Sequence, residues 1–165
     1  MTPALDAIEL TTLTGGTTTF GALAGPVTLV VNVASQCGFT PQYAGLEQLW
    51  RTYRDRGLVV IGVPTNQFLQ ERGDEADIAE FCQVNYGVTF PLMARVRVNG
   101  RKRHPLFAAL RDVPDAGGSA GRVRWNFEKF LLTAAGARRF RSAVEPSDPA
   151  LIAAIEAALP GGAGA

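Results

Sequence analysis

The segment from Val27 to Val63, VTLVVNVASQCGFTPQYAGLEQLWRTYRDRGLVVIGV, contains the pattern that indicates the fold class. It opens with a short apolar run, Val27 to Ala34, which follows Gly25-Pro26 and is typical of a buried strand. A second apolar run, Leu58 to Val63, predicts another buried strand. Between them the sequence predicts a helix from Gln42 to Arg56, because apolar side chains recur at spacings of three and four, at Leu46, Leu49, Trp50 and Tyr53. Two buried strands joined by a helix form a βαβ unit, which implies parallel strands and a right-handed crossover.

The rest of the chain alternates between helical and strand patterns. In order, the patterns predict a helix over Asp74–Tyr86, a strand over Arg95–Val98 that turns at Asn99-Gly100, a short helix over His104–Arg111, a hairpin of Phe130–Thr133 with Arg138–Ser142, and a last helix over Asp148–Leu159. The segment Pro114–Gly121 predicts a flexible loop. This order indicates an α/β domain with a central mixed sheet flanked by helices, and it is compatible with a thioredoxin-like layout.

Length and composition narrow the class of protein. A chain of 165 residues without repeats or linkers predicts a single domain over residues 1–165, with a flexible Gly- and Ala-rich tail at 160–165. The net charge of +1 gives no long-range attraction for nucleic acid. The longest apolar run is far shorter than the roughly 20 residues that span a bilayer, so no stable membrane association is expected. Because no export signal is visible, we expect a cytoplasmic location.

The cysteine and histidine content restricts the chemistry. Two cysteines, Cys37 and Cys82, do not make a disulfide scaffold, and their separation is not that of a Cys-x-x-Cys motif. The single histidine, His104, leaves too few ligands for a zinc site, so no metal cofactor is expected.

Cys37 occupies a position that favours reactivity. It follows the first buried strand and precedes the predicted helix start at Thr40-Pro41, with Thr40 as the cap. Ligands of open α/β sheets gather at the carboxyl ends of strands, and a helix N-terminus offers unpaired N–H groups and partial positive charge. Both features favour the thiolate over the thiol. The alternative is a small buried core residue, since free cysteines are often buried. For Cys82, on the second helix, an inert helix-face residue and a functional thiol are equally compatible with the pattern.

Three sequence blocks resemble glutathione peroxidases. They occur in the order that the family shows, and the similarity extends from about Ile8 to Leu159: VNVASQCGFTPQYAGLEQL (Val31–Leu49), VPTNQFLQE (Val63–Glu71) and WNFEKFLL (Trp125–Leu132). The resemblance implies a thioredoxin fold and a peroxide-reducing catalytic tetrad of Cys or selenocysteine, Gln, Trp and Asn.

Carried over by position, the tetrad is Cys37, Gln70, Trp125 and Asn126. Gln67 is the alternative glutamine, because the segment after Phe68 is one residue shorter than the family pattern. A thiolate that attacks an O–O bond needs donors to stabilise charge on the sulfur and then on the leaving oxygen. Amide and indole N–H groups serve as such donors without titrating near neutrality.

The sequence departs from the family in ways that shape the expected cycle. Cys37 stands where some animal members carry selenocysteine, so neither selenium nor a metal is expected as a cofactor. Thr65 stands where members often have Cys, which leaves Cys82 as the available second thiol. The loop before Trp125 is shorter than in the tetrameric animal enzymes, which favours a monomer.

The resemblance implies a cycle in which Cys37 reduces a hydroperoxide and becomes a sulfenic acid, Cys82 resolves it as a disulfide, and thioredoxin reduces that disulfide. Because a disulfide needs Cα atoms within about 7 Å, we expect the helix that carries Cys82 to unwind locally. Alternatives are a glutathione-dependent peroxidase with Cys82 idle, a thiol-based peroxide sensor that passes a disulfide to a partner protein, and a non-catalytic domain with the same fold. The sequence leaves open whether hydrogen peroxide, an alkyl hydroperoxide or a lipid hydroperoxide is preferred.

Overall fold

The computed structural model describes residues 3–71 and 73–162. In chain order its elements are α1 (Pro3–Asp6), β1 (Glu9–Thr11), β2 (Thr17–Thr19), α2 (Phe20–Leu23), β3 (Val27–Val33), α3 (Gln42–Tyr53), a 3₁₀ turn (Arg54–Arg56), β4 (Leu58–Pro64), α4 (Glu75–Tyr86), α5 (Pro105–Leu110), β5 (Lys129–Thr133), β6 (Gly136–Phe140) and α6 (Pro149–Ala158). The main predicted helices and the two strands of the βαβ unit are therefore confirmed within a few residues. Of the tail at 160–165, residues 163–165 lie outside the described part.

The central sheet is mixed, as predicted. Its strand order is β4-β3-β5-β6. β3 and β4 run parallel, with Val27 opposite Leu58 and Val33 opposite Pro64. β5 runs antiparallel to β3 and forms a hairpin with β6, which confirms the predicted hairpin with slightly shifted ends. The start of β5 therefore meets the carboxyl ends of β3 and β4 at one edge of the sheet.

Apolar side chains cover both faces of the sheet. Along β3 they alternate, as the pleat requires: Leu29, Val31 and Val33 enter one cluster, and Val30 enters the other. α3, α4 and α6 cover the first cluster, whereas α5 and the N-terminal segment cover the second. The helix side chains that bury these faces are Leu46, Leu49, Ile78, Leu151 and Ile155 on the first, and Leu106, Phe107 and Leu110 on the second.

Two sequence expectations about local structure need correction. The prediction of a strand over Arg95–Val98 is wrong. The backbone N–H groups of this segment donate to separate acceptors and do not form the ladder of hydrogen bonds that joins two strands. Val96 donates to the Pro64 carbonyl at 3.0 Å, whereas Val98 donates to the Gln67 side chain at 2.5 Å. The segment Pro114–Gly121 is a loop, but it is fixed at Asp115, whose carboxylate accepts two backbone N–H groups and pairs with Arg141 at 2.8 Å.

The short N-terminal hairpin of β1 and β2 was not predicted from sequence. No helix among residues 3–71 and 73–162 is both long and apolar enough to cross a membrane.

Candidate active site

Three loops meet at the edge of the sheet where β3 and β4 end and β5 begins. The loop after β3 contains Cys37, the loop after β4 contains Gln70, and the loop before β5 contains Trp125 and Asn126. The Gln36 N–H donates to the Gln70 carbonyl at 2.9 Å, which joins the first two loops. The rings of Phe68 and Trp125 pack with centroids 5.3 Å apart, which joins the second and third. The structure thus brings the sequence-predicted residues to one edge.

Cys37 lies in the turn that leads into α3. Its sulfur accepts the Phe39 N–H at 3.4 Å, and its side chain is a free thiol. The residue is 7% exposed, so the thiol lies just below the surface. The Phe39 main-chain N–H in this turn points toward the sulfur, and such a donor stabilises negative charge on sulfur.

The predicted helix cap at Thr40 is wrong. The Thr40 hydroxyl accepts the Cys37 N–H at 2.9 Å and donates to the Ala34 carbonyl at 2.9 Å. It therefore fixes the cysteine turn to the end of β3, whereas α3 begins after Pro41 without a side-chain cap.

Asn126 is completely buried, and within the described part of the chain neither its amide nitrogen nor its amide oxygen has a hydrogen-bond partner. Leaving a buried amide unpaired costs roughly 1–3 kcal/mol. A buried amide of this kind can have its bonds completed by a ligand, a reacting atom or an ordered water. Its neighbour Trp125 is 38% exposed, so the indole lies at the surface of the same edge.

Asn32 holds the Trp125–Asn126 loop in place, and sequence analysis did not assign it a role. From the penultimate position of β3, its side-chain amide donates to the Trp125 carbonyl at 3.0 Å and accepts the Glu128 N–H at 3.1 Å. Its own carbonyl accepts the Phe127 N–H at 2.6 Å. Phe127 has a left-handed backbone, with φ of 62°, which these bonds stabilise. A polar residue inside a wholly buried strand was the available signal.

A buried lysine also supports the loop before β5. The Lys129 ammonium donates to the Phe127 carbonyl at 2.7 Å, and burial lowers the pKa of Lys129 to about 7. The loop before β5 is therefore fixed by two buried polar side chains, Asn32 and Lys129.

The two candidate glutamines have different surroundings. The Gln67 amide is occupied: its oxygen accepts the N–H groups of Val98 and Asn99 at 2.5 and 2.7 Å, and its nitrogen donates to the Asn99 carbonyl at 3.2 Å. Gln70 is joined to the Cys37 loop through its main chain. Leu69, with φ of 59°, makes the tight turn that places Gln70 there, which accommodates the short segment after Phe68.

Cys82 is a buried free thiol on α4, 1% exposed. Burial raises the pKa of Cys82 to about 11; the Tyr43 hydroxyl opposes this rise and the Glu71 carboxylate adds to it. In this conformation the thiol is protonated near neutrality and unreactive. Cys82 and Ile78 are the buried side chains of α4, so its attachment to the core is small.

Glu71 is an unpredicted buried acid between the two cysteine-bearing segments. It faces Ser35, and its Oε2 has no hydrogen-bond partner among residues 3–71 and 73–162. Burial raises the pKa of Glu71, and Ser35 and Arg95 offset that rise only in part. The negative charge of Glu71 also acts on both Tyr43 and Cys82.

Comparison with known proteins decides the family. A sequence model described as glutathione peroxidase matches residues 5–111. This chain belongs to the glutathione peroxidase family. Among curated relatives, it is 45% identical over 139 residues to a glutathione peroxidase of Lactococcus lactis (82% of this chain, 88% of the relative). It is 47% identical over 148 residues to a glutathione peroxidase-like peroxiredoxin of Chlamydomonas reinhardtii (88% and 91%).

A third curated relative is a hydroperoxy fatty acid reductase of Synechocystis, 47% identical over 133 residues (75% of this chain, 78% of the relative). Membership of the glutathione peroxidase family, together with relatives named as peroxiredoxins and a hydroperoxide reductase, makes this chain a thiol peroxidase, an oxidoreductase. The sequence-based alternative of a non-catalytic domain is therefore wrong.

Solved structures confirm the thioredoxin-like fold. The apo crystal structure of Trgpx matches with a TM-score of 0.70 and 34% identity, over 97% of this chain and 100% of that one. The crystal structure of T. cruzi GPX1 matches with a TM-score of 0.65 and 29% identity, over 85% of this chain and 87% of that one. A thioredoxin family protein of Chlorobium tepidum, 17% identical with a TM-score of 0.56 over 82% and 83%, shares the fold alone.

Proposed function

We propose that Cys37 is the peroxide-attacking thiol, assisted by Gln70, Trp125 and Asn126, and that Cys82 resolves the oxidised form for reduction by thioredoxin. One observation supports this proposal most strongly. A thiol that accepts a main-chain N–H at a helix entrance shares an edge of the sheet with a buried Asn126 amide that lacks partners. Such donors are the groups that stabilise developing negative charge.

In the first step, the Cys37 thiolate attacks one oxygen of the hydroperoxide. The O–O bond breaks, the S–O bond forms, and the leaving alkoxide or hydroxide takes up a proton and departs as alcohol or water. Sulfur is oxidised to the sulfenic acid, and the peroxide is reduced by two electrons. The Asn126 amide, the Trp125 indole and the Gln70 amide donate to the charge that moves from sulfur to oxygen.

In the second step, α4 opens and Cys82 attacks the Cys37 sulfenic acid. A disulfide forms and one water leaves. Opening brings the Cys82 thiol into water, where its pKa returns toward the ordinary range and the thiolate becomes available. Thioredoxin then reduces the disulfide by thiol exchange, so the cycle requires neither selenium nor a metal.

The substrate class follows from the surroundings of the site. The Phe68 and Trp125 rings form an apolar surface at its mouth. The hydroperoxy fatty acid reductase of Synechocystis supports organic hydroperoxides as substrates beside hydrogen peroxide. We place this activity in the cytoplasm and in a monomer.

Turnover with two reductants tests the proposal. Peroxide consumption is measured with thioredoxin and with glutathione on wild type, Cys37→Ser and Cys82→Ser. Cys37→Ser should abolish turnover with both reductants, and Cys82→Ser should abolish the thioredoxin-linked cycle. Glutathione turnover that survives in Cys82→Ser at the wild-type rate would instead indicate a glutathione enzyme with Cys82 idle. Stoichiometric oxidation without rapid recycling would indicate a sensor.

A matched pair of variants tests the assignment of the glutamine. Gln70→Ala should slow the reaction of Cys37 with peroxide and leave thermal stability nearly unchanged. Gln67→Ala should lower the stability, because it removes three hydrogen bonds to residues 98–99. If the peroxide rate falls only in Gln67→Ala, the assignment to Gln70 is wrong.

A further inference from the structure

A cavity of about 410 Å³ lies on the face of the sheet that α5 covers. Its floor is apolar and comprises Phe107, Val123 and Phe130, which belong to the second apolar cluster. Cys37 belongs to the first cluster, so the cavity is separate from the thiol. Its volume falls within the range of about 300–1,000 Å³ that is usual for small-molecule sites.

Three arginines surround this floor: Arg103, Arg111 and Arg122. No acidic residue lines the cavity, and within the described part of the chain none of the three arginines forms an ion pair. Of the nearby acids, Asp115 pairs with Arg141 and Glu128 with Arg139, whereas Asp112, next to Arg111 in sequence, forms no ion pair within the described part of the chain and does not line the cavity. Three uncompensated cations around one cavity repel one another, and a bound anion would remove that repulsion.

The hydrogen-bonding groups of the cavity select the same kind of ligand. The Arg103 Nη1 donates to the Gly100 carbonyl at 2.9 Å, which orients the guanidinium. Its Nε is buried and has no acceptor among the residues that the structure describes. The neutral polar side chains in the wall are already bonded, Gln67 to Asn99 and Asn99 to Val123. The remaining polar side chains of the cavity are therefore the arginines, whose guanidinium N–H groups only donate.

We propose that this cavity binds an amphiphilic carboxylate, with the carboxylate held by Arg103, Arg111 and Arg122 and the apolar part packed on Phe107, Val123 and Phe130. A guanidinium matches the planar, two-oxygen geometry of a carboxylate. The floor would leave a bare inorganic anion in contact with apolar side chains on one side, so a ligand with both an anionic and an apolar part fits better. The site is independent of the thiol chemistry proposed for Cys37.

Calorimetric titration of full-length Cys37→Ser protein tests this site without interference from oxidation. The probes are octanoate, its uncharged counterpart octanol, and inorganic phosphate, each at low ionic strength. Octanoate should bind with one-to-one stoichiometry and at least about tenfold more tightly than either control, because charge-assisted bonds to arginine add to apolar burial. Its affinity should fall as salt is added.

Substitutions locate the binding. Arg111→Gln and Arg122→Gln remove exposed side chains and should each weaken octanoate binding about tenfold or more. Arg103→Gln should do the same, and its thermal unfolding is recorded in parallel because its guanidinium is partly buried. Arg138→Gln, an exposed position of β6 outside the cavity, is the control with the same charge change and should bind as the parent does.

Four results would overturn the proposal. They are octanol binding as tight as octanoate, phosphate binding as tight as octanoate, equal losses in Arg138→Gln and the cavity variants, and no octanoate binding in the millimolar range. Because Cys37 is absent from the tested protein, each of these outcomes leaves the proposed thiol peroxidase cycle unaffected.

Discussion

The Cys82 thiol should resist alkylation as long as α4 remains folded. The test uses Cys37→Ser, in which Cys82 is the only cysteine, treated with iodoacetamide at pH 8. The pKa of Cys82 is raised by burial from an ordinary value of 9.0 to about 11. At pH 8 this lowers the thiolate fraction about a hundredfold, from about one-tenth to about one-thousandth. A more basic thiolate is intrinsically more nucleophilic, which raises the alkylation rate per thiolate roughly tenfold.

Ionisation alone should therefore make the folded protein react about tenfold more slowly than the same chain in denaturant. Burial increases this difference, because the reagent must wait for the helix to open. The rate is measured by mass spectrometry of quenched samples. From pH 8 to 10, the rate for the folded protein should continue to rise, whereas the denatured control should level off above about pH 9.

Glu71→Gln supplies a matched variant. It keeps the shape of the side chain and removes the negative charge that helps to raise the Cys82 pKa, so alkylation of the folded protein should accelerate. The reasoning fails if Cys82 in the folded Cys37→Ser protein reacts as fast as in denaturant. It also fails if the two pH profiles have the same midpoint.

Three further predictions concern the supports of the site. Asn32→Ala should lower the free energy of unfolding by about 2–4 kcal/mol and slow peroxide reduction, because two buried hydrogen bonds to the loop before β5 are lost. Urea denaturation measures the stability and stopped-flow kinetics measure the peroxide rate. An unchanged peroxide rate would show that Asn32 does not position the site. The pKa of Lys129 is lowered by burial to about 7, so the unfolded chain binds more protons than the folded protein between pH 7 and 10.5. From pH 7 to 9, wild type should therefore gain about 2 kcal/mol of stability relative to Lys129→Met. The same difference in unfolding free energy between the two proteins at both pH values would refute this. Glu128→Gln should lower the free energy of unfolding by about 3–5 kcal/mol, because it leaves the buried Arg139 without its carboxylate partner at 2.6 Å. A loss below about 1 kcal/mol in urea denaturation would contradict this prediction.

Local sequence signals were sufficient to locate Cys37. A strand followed by a turn and a helix start is encoded within a few residues, and the helix that follows Cys37 begins at Gln42, as predicted. The same signals failed for Arg95–Val98. An alternating pattern predicts a strand, but a strand also needs a neighbouring strand with which its backbone forms a ladder of hydrogen bonds. Here the backbone donors bond to the Pro64 carbonyl and the Gln67 side chain instead.

Asn32 and Glu71 escaped prediction for a related reason. In sequence, Asn32 interrupts an apolar run, and its role depends on a loop more than 90 residues further along the chain. Glu71 resembles an ordinary surface acid until the fold buries it beside Ser35 and near Cys82. Long-range partners decide what a buried polar side chain does, and spacing within one segment does not reveal them.

Because α4 buries few side chains, the opening of this helix and the reaction with peroxide depend on different residues in the proposed cycle. Ile78 and Cys82 are its buried side chains, whereas Val84 on the same helix is 74% exposed. In the proposed cycle, a change in side-chain volume at position 78 would alter how often Cys82 emerges, while the proposed reaction of peroxide with Cys37, on another loop, stays the same. Evolution or an engineer could thus adjust the lifetime of the sulfenic acid, and with it the risk of overoxidation, by substituting a residue that takes no part in the chemistry.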